Sequence, residues 1–143
     1  METDTARPLA KARCIATLLY VVPLVAFPIL GRMVKLQAAL KPEVLRLLGL
    51  VLLVVAILNY ANSLFLEHKM LAQAAALRAQ TQVLTAAIVV GAMGAALAVY
   101  GLGITLLGAP AWGAALYVMC AAHGLHLLIR WPRYEQAAKQ PHE

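Results

Sequence analysis

Between Arg78 and Arg130 lie 51 residues without a single Asp, Glu, Lys or Arg. As one continuous helix, at about 1.5 Å per residue, that stretch would reach roughly 75 Å. A bilayer's hydrocarbon core is only about 30 Å thick. The stretch must therefore cross twice, and Gly108-Ala109-Pro110 supplies residues suited to a turn. Two shorter charge-free stretches, Arg13 to Arg32 and Arg46 to Glu67, each suffice for one crossing. The chain of 143 residues is 63% hydrophobic. A domain of this size folding in water buries only about two thirds of the surface its chain exposes, so the excess apolar surface needs lipid.

These stretches predict an all-α fold, an integral membrane four-helix bundle made of two helical hairpins with both termini on one side. The expected spans run over about 14–31, 44–66, 83–107 and 111–129, inside a transmembrane domain of 14–131. A segment 1–13 precedes it and a tail 132–143 follows. The basic start and first apolar run resemble a signal peptide, but no small-x-small site ends the run, so it reads as a retained helix. Pro23 and Pro28 each remove a backbone donor and should kink it. Residues 32–46 interleave apolar and basic side chains, a pattern that suits a short helix lying in the interface. Pro42 followed by Glu43 marks the next helix start. The connector from Glu67 to Gln82 is alanine-rich and should extend helices two and three beyond the lipid. At the far end Trp131 and Tyr134 suit the headgroup zone, with Pro132 stopping the helix. Trp112 and Tyr117 suit the opposite interface.

The formal charge is +6. The basic residues are scattered among the connections between apolar runs, which speaks against a nucleic-acid surface and for contact with lipid headgroups. The two ends and the second loop together carry eight Lys and Arg, the first loop four. The positive-inside rule then places both termini in the cytoplasm. Cys14 and Cys120 stand at different expected depths, so a disulfide within the chain is not expected.

A stripe of small residues runs down the third span. Ala87, Gly91, Gly94, Ala98, Gly101, Thr105 and Gly108 recur at alternating spacings of four and three. In lipid no hydrophobic force drives helices together, and small side chains let backbones approach closely. The stripe can serve packing within the chain or a seam between subunits. Gly113, Ala114, Ala121, Ala122 and Gly124 on the fourth span offer small partners, so the hairpin of helices three and four should be tight.

The small-residue helix, the run Ala98-Val99-Tyr100-Gly101-Leu102-Gly103 and the short turn resemble the proteolipid hairpin of rotary ATP synthases, the c-subunit. The resemblance covers about residues 80–133. The chain is also similar to small four-helix bacterial membrane proteins whose second half carries such a hairpin. A c-subunit holds a buried carboxylate that picks up the transported ion. Here the comparable place reads Gly94-Ala95-Ala96, and no acid falls in any expected span, so ion carriage by that mechanism is not expected.

Polar side chains do fall in the spans. Tyr20, Asn59, Asn62, Ser63, Thr85, His123 and His126 stand at similar depths when counted from the charged boundaries, and form one candidate polar cluster. Asn59 with Asn62, and His123 with His126, are spaced i, i+3 and share a helix face. Such groups serve as interhelical hydrogen-bonding glue or as a functional site. Cys120, His123 and His126 are the candidates for a soft metal, although residues six apart share a helix face only broadly. No catalytic set or phosphate loop is present in the sequence, and no cofactor is expected. The expected protein is a small non-enzymatic subunit of the cell inner (plasma) membrane. Its partners are the lipid bilayer and a homo-oligomer or larger complex, without nucleic acid. The alternatives are a small transporter or channel using the Asn/His cluster, and a metal- or haem-binding membrane protein.

Overall fold

The computed structural model describes residues 3–34, 40–77 and 80–139. They form four α-helices: α1 Thr3–Met33, α2 Pro42–Leu77, α3 Gln80–Leu106 and α4 Pro110–Lys139. Each contains a stretch long and apolar enough to cross a bilayer, which makes this a multi-pass membrane architecture. α2 begins at Pro42 with Glu43 in its first turn, where the missing proline donor costs nothing and the acid meets the positive end of the helix dipole. α3 ends at a left-handed Gly108 with φ of 98°, a conformation glycine adopts without a Cβ clash. There the Gly108 and Ala109 amides donate to the Thr105 and Ile104 carbonyls, satisfying the last turn. Pro110 then opens α4.

The helices are longer than the expected spans. α1 already runs from Thr3, and α2 continues through Glu67 to Leu77. The alanine-rich connector carries α2 onward because nothing in it disfavours helix. α4 passes through Pro132 instead of stopping there. Pro132 and Leu128, whose carbonyl loses its i+4 donor, are both exposed, so the interruption faces outward while Trp131 and Tyr134 hold the inner side. Those two aromatics, expected at the headgroup zone, are buried at 3% and 0% exposure and stack with centroids 5.3 Å apart. The interfacial helix expected within 32–46 falls mostly on 35–39, outside the described residues; Val34, Leu40 and Lys41 beside them are not helical.

Side-chain size is distributed inside out relative to a soluble bundle. Alanines dominate the interior, with Ala16, Ala56, Ala74, Ala86, Ala87 and Ala98 buried. Large aliphatics such as Val22, Val25, Leu47, Leu58, Val118 and Ile129 are exposed. Lipid is as apolar as leucine, so large side chains gain nothing by leaving it, and small ones gain contact by drawing helices together. α3 is the central element: 44% of its most apolar stretch is buried against 11% for α1 and for α2. It packs on all three other helices, whereas α1 and α2 make no Cα approach within 8 Å among the described residues. The first two helices thus flank α3 rather than pairing with each other. The reason lies in the small residues of α3, which provide closer approach than the branched faces of α1 and α2 provide to one another.

Candidate functional site

The polar interior is built from three helices around His123 of α4, which is 2% exposed. α1 contributes Tyr20, whose ring enters a slot between α3 and α4. The slot exists because two glycines face it. A Cβ on Gly94 would run into the Tyr20 ring, and one on Gly124 would lie 2.9 Å from Tyr20 Cδ1. At the bottom of the slot the Tyr20 hydroxyl lies 2.6 Å from His123 Nδ1 and 3.3 Å from the Val90 carbonyl. On the other side of the ring, Ser63 Oγ of α2 lies 2.6 Å from His123 Nε2 and donates to the Tyr60 carbonyl at 2.7 Å.

One proton arrangement meets the shortest of these distances. A serine hydroxyl has one hydrogen, and a neutral imidazole has one donor and one acceptor. Ser63 donates to the Tyr60 carbonyl at 2.7 Å, so it accepts from His123 Nε2–H. Nδ1 is then the acceptor, and the single Tyr20 hydrogen goes to it at 2.6 Å rather than to the Val90 carbonyl at the longer 3.3 Å. Every polar atom of His123 is satisfied, as buried groups require. The opposite tautomer would press the Ser63 oxygen against the Tyr60 carbonyl at 2.7 Å with no hydrogen between them. Tyr60 closes the cage, its ring edge-on to His123 at 5.0 Å between centroids.

One turn further along, α2 and α4 meet in a charged layer. Glu67 is 1% exposed, and its Oε2 accepts from Arg130 Nη1 at 3.2 Å. The same Nη1 lies 3.1 Å from His126 Nε2, which as the partner of a cation acts as acceptor. Glu67 Oε1 and the hydroxyl of fully buried Tyr134 have no hydrogen-bond partner among the described residues. Sequence reasoning missed this layer by taking Glu67 and Arg130 as boundary charges. The available signal was the four-residue spacing Asn59, Ser63, Glu67 on α2, facing His126, Arg130 and Tyr134 at the same spacing on α4.

The expected polar cluster is thereby split. Tyr20, Ser63 and His123 come together, and His126 stands beside them in the charged layer. Asn59 turns to α3 and donates to the Met93 carbonyl at 2.8 Å. Thr85 is exposed and donates to its own helix at Thr81. Asn62 is exposed, without a hydrogen-bond partner among the described residues. The inward face of α2 runs Asn59–Ser63–Glu67, so Asn62, one residue before Ser63, lies about 100° away from it. The i, i+3 pairing of the two asparagines was the wrong face.

The small-residue seam is occupied within the chain. Gly91 faces Ala16 and Leu19 of α1, Gly94 faces Tyr20, and Gly101 faces Tyr117 and the Gly113 carbonyl of α4. Ala87 and Ala98 are buried, Thr105 is half-buried and donates to the Gly101 carbonyl, and Gly108 lies exposed in the turn. Nor do Cys120, His123 and His126 form a metal set: no group of three His, Cys, Asp or Glu stands close enough to hold an ion among the described residues. Both His123 nitrogens are already taken, and His126 faces a guanidinium.

No protein-family model, curated protein sequence or solved structure matches this chain.

Proposed function

We propose that the chain is a small non-enzymatic subunit of a membrane assembly in the cell inner (plasma) membrane, with both termini cytoplasmic, and that it associates with a second copy through the outer face of α2. The observation that carries this reading is Asn62. Its carboxamide stands on an apolar, lipid-facing surface with no partner among the described residues. An amide left unpaired in hydrocarbon costs several kcal/mol. Val51, Val55, Leu58, Asn62 and Phe65 are all exposed and recur at spacings of four, three, four and three, a heptad seam with the asparagine inside it. Two copies of one topology in one membrane are related by a two-fold axis along its normal. Their α2 helices then run parallel and Asn62 meets Asn62. Each carboxamide both donates and accepts, so the pair is reciprocal. Eight basic residues on the terminal side against four on the other support the orientation. In this reading the likeness to the c-subunit hairpin is one of helix packing, because the buried acid sits on α2.

The test is disulfide trapping in native membranes, in a chain with Cys14 and Cys120 replaced by alanine. Leu58→Cys and Phe65→Cys should cross-link to dimer, and Val118→Cys on the outer face of α4 should not. Asn62→Leu should weaken dimerisation about tenfold, matching the ~1–2 kcal/mol of an interhelical polar contact. Equal trapping at all three positions, or a monomer throughout, overturns the proposal.

One observation favours a second reading. Glu67 is a buried acid with one oxygen unpaired among the described residues, beside a histidine and an arginine, the type of group that intramembrane proton pathways use. Proton flux into proteoliposomes that is unchanged by Glu67→Gln removes it.

A further inference from the structure

α1 and α4 part along one side of the bundle and leave a slot in two connected sections. The outer section, about 530 Å³, is lined by Arg13 and Thr17 of α1 and by Trp131 and Glu135 of α4. The inner section, about 220 Å³, shares Arg13, Thr17 and Trp131 and continues between Val21 and Leu24 on one wall and Leu125 and Leu128 on the other. It is floored by Tyr20 and Gly124. Arg13 ends the polar start of the chain and Trp131 follows the charge-free run to Arg130. The outer section therefore stands at headgroup level and the inner one among acyl chains.

The rim carries one charge of each sign. The Arg13 guanidinium lies 6.0 Å from the Trp131 ring centroid, which holds it at the mouth of the slot. Neither Arg13 nor Glu135 forms an ion pair among the residues whose side chains the structure describes, which are 9–34, 40–76 and 81–138. An anionic headgroup would satisfy Arg13 and set a negative charge against Glu135. A cationic amphiphile would do the reverse. A zwitterionic headgroup pairs both. A carboxylate only accepts hydrogen bonds, and a primary ammonium offers three donors where a quaternary one offers none.

We infer that this slot binds one phospholipid with a zwitterionic, primary-ammonium headgroup. Its phosphate sits on Arg13, its ammonium on Glu135, and one acyl chain lies between α1 and α4. The site is lined by α1 and α4 without a residue of α2, and is complete in a single copy of the chain.

Trp131 reports on the site directly. In a Trp112→Phe variant it is the remaining tryptophan, and lipids brominated on the acyl chain quench it on contact. Brominated phosphatidylethanolamine, titrated into phosphatidylcholine bilayers, should half-quench Trp131 at about a tenfold lower mole fraction than brominated phosphatidylcholine or phosphatidylglycerol, as one charge-assisted hydrogen bond implies. Glu135→Gln should abolish the preference over phosphatidylcholine, and Arg13→Gln should weaken binding of all three. Native mass spectrometry of the unsubstituted protein, which bypasses any folding defect of the variants, should show one retained phosphatidylethanolamine. Equal quenching by the three lipids means ordinary boundary lipid and overturns the site. Stronger quenching by phosphatidylglycerol overturns the headgroup assignment, as does a protein that retains no phosphatidylethanolamine.

Discussion

Replacing Tyr20 with Phe tests the hydrogen-bonded peg that ties α1 to the rest of the bundle. The ring still fills the slot between Gly94 and Gly124, so packing is preserved and only one oxygen is lost. That oxygen donates to His123 Nδ1 at 2.6 Å. Tyr20 and His123 are 5% and 2% exposed, so no water replaces it and the imidazole acceptor is left unpaired. An orphaned buried acceptor costs about 1–3 kcal/mol. Interhelical hydrogen bonds measured in membranes average nearer 0.6 and reach about 1.7, because the unfolded chain in lipid also finds partners. The near-complete burial and short distance put this bond at the upper end of that range, about 1.5 kcal/mol, or roughly tenfold in the folding equilibrium. The assay is reversible unfolding in mixed micelles with increasing dodecyl sulfate, followed by tryptophan fluorescence. Tyr100→Phe serves as control, since that half-buried hydroxyl makes no hydrogen bond among the described residues; its cost should stay within about 0.5 kcal/mol. Ser63→Ala removes the partner on the other side of the same imidazole. The double variant should depart from additivity by about 0.5 kcal/mol or more. A Tyr20→Phe cost no larger than the control, or strict additivity with Ser63→Ala, would refute the hydrogen-bonded cage around His123.

Three further outcomes follow from the packing. Gly124→Ala places a methyl 2.9 Å from the Tyr20 ring and should cost about 1–3 kcal/mol, whereas Gly103→Ala, with nothing within 4 Å, should be neutral or stabilising by up to about 1 kcal/mol in the same unfolding assay. Arg130→Ala strips a buried carboxylate of its only cation among the described residues and should cost about 3 kcal/mol, more than Glu67→Gln, which keeps the shape and removes the charge; a larger cost for Glu67→Gln contradicts the pairing. Cys14 is exposed and Cys120 buried, so a membrane-permeant maleimide should label Cys14 in the folded protein and reach Cys120 only on unfolding, a difference readable by intact mass.

The helices were legible because charge is nearly absent from long runs, and lipid makes that pattern decisive. Gly108-Ala109-Pro110 and Pro42-Glu43 gave their boundaries through local backbone chemistry that tertiary packing does not override. Glu67 was illegible for a specific reason. A charge at the end of an apolar run usually meets the headgroups, and only the continuation of α2 to Leu77 shows that this one turns inward. Trp131 and Tyr134 were legible as aromatics near a basic cluster, but not as side chains that pack inward against the other helices, since burial depends on tertiary contacts. The cluster around His123 was half visible: counting depth brought Tyr20 and His123 to one level, but rotation about α2 was set by the wrong pair of asparagines. Depth is a property of one helix, and rotation depends on its neighbours. The seam on α3 was visible as a pattern, while its occupants, α1 and α4, depend on three-dimensional proximity that spacing alone does not encode.

The Tyr20 slot also bears on the order of assembly. Tyr20 and His123 are 103 residues apart in the chain, and the glycine that forms the second wall comes just after the histidine. At synthesis rates of about 5–20 residues per second, α1 leaves the ribosome roughly 5–20 seconds before its receptor is complete. Throughout that interval its phenol must be solvated by something other than this protein, whether the insertion machinery, a chaperone or the lipid interface. Nascent chains arrested before Gly124 should therefore hold α1 in a crosslinkable, unpaired state that the released chain, with α4 inserted, has lost.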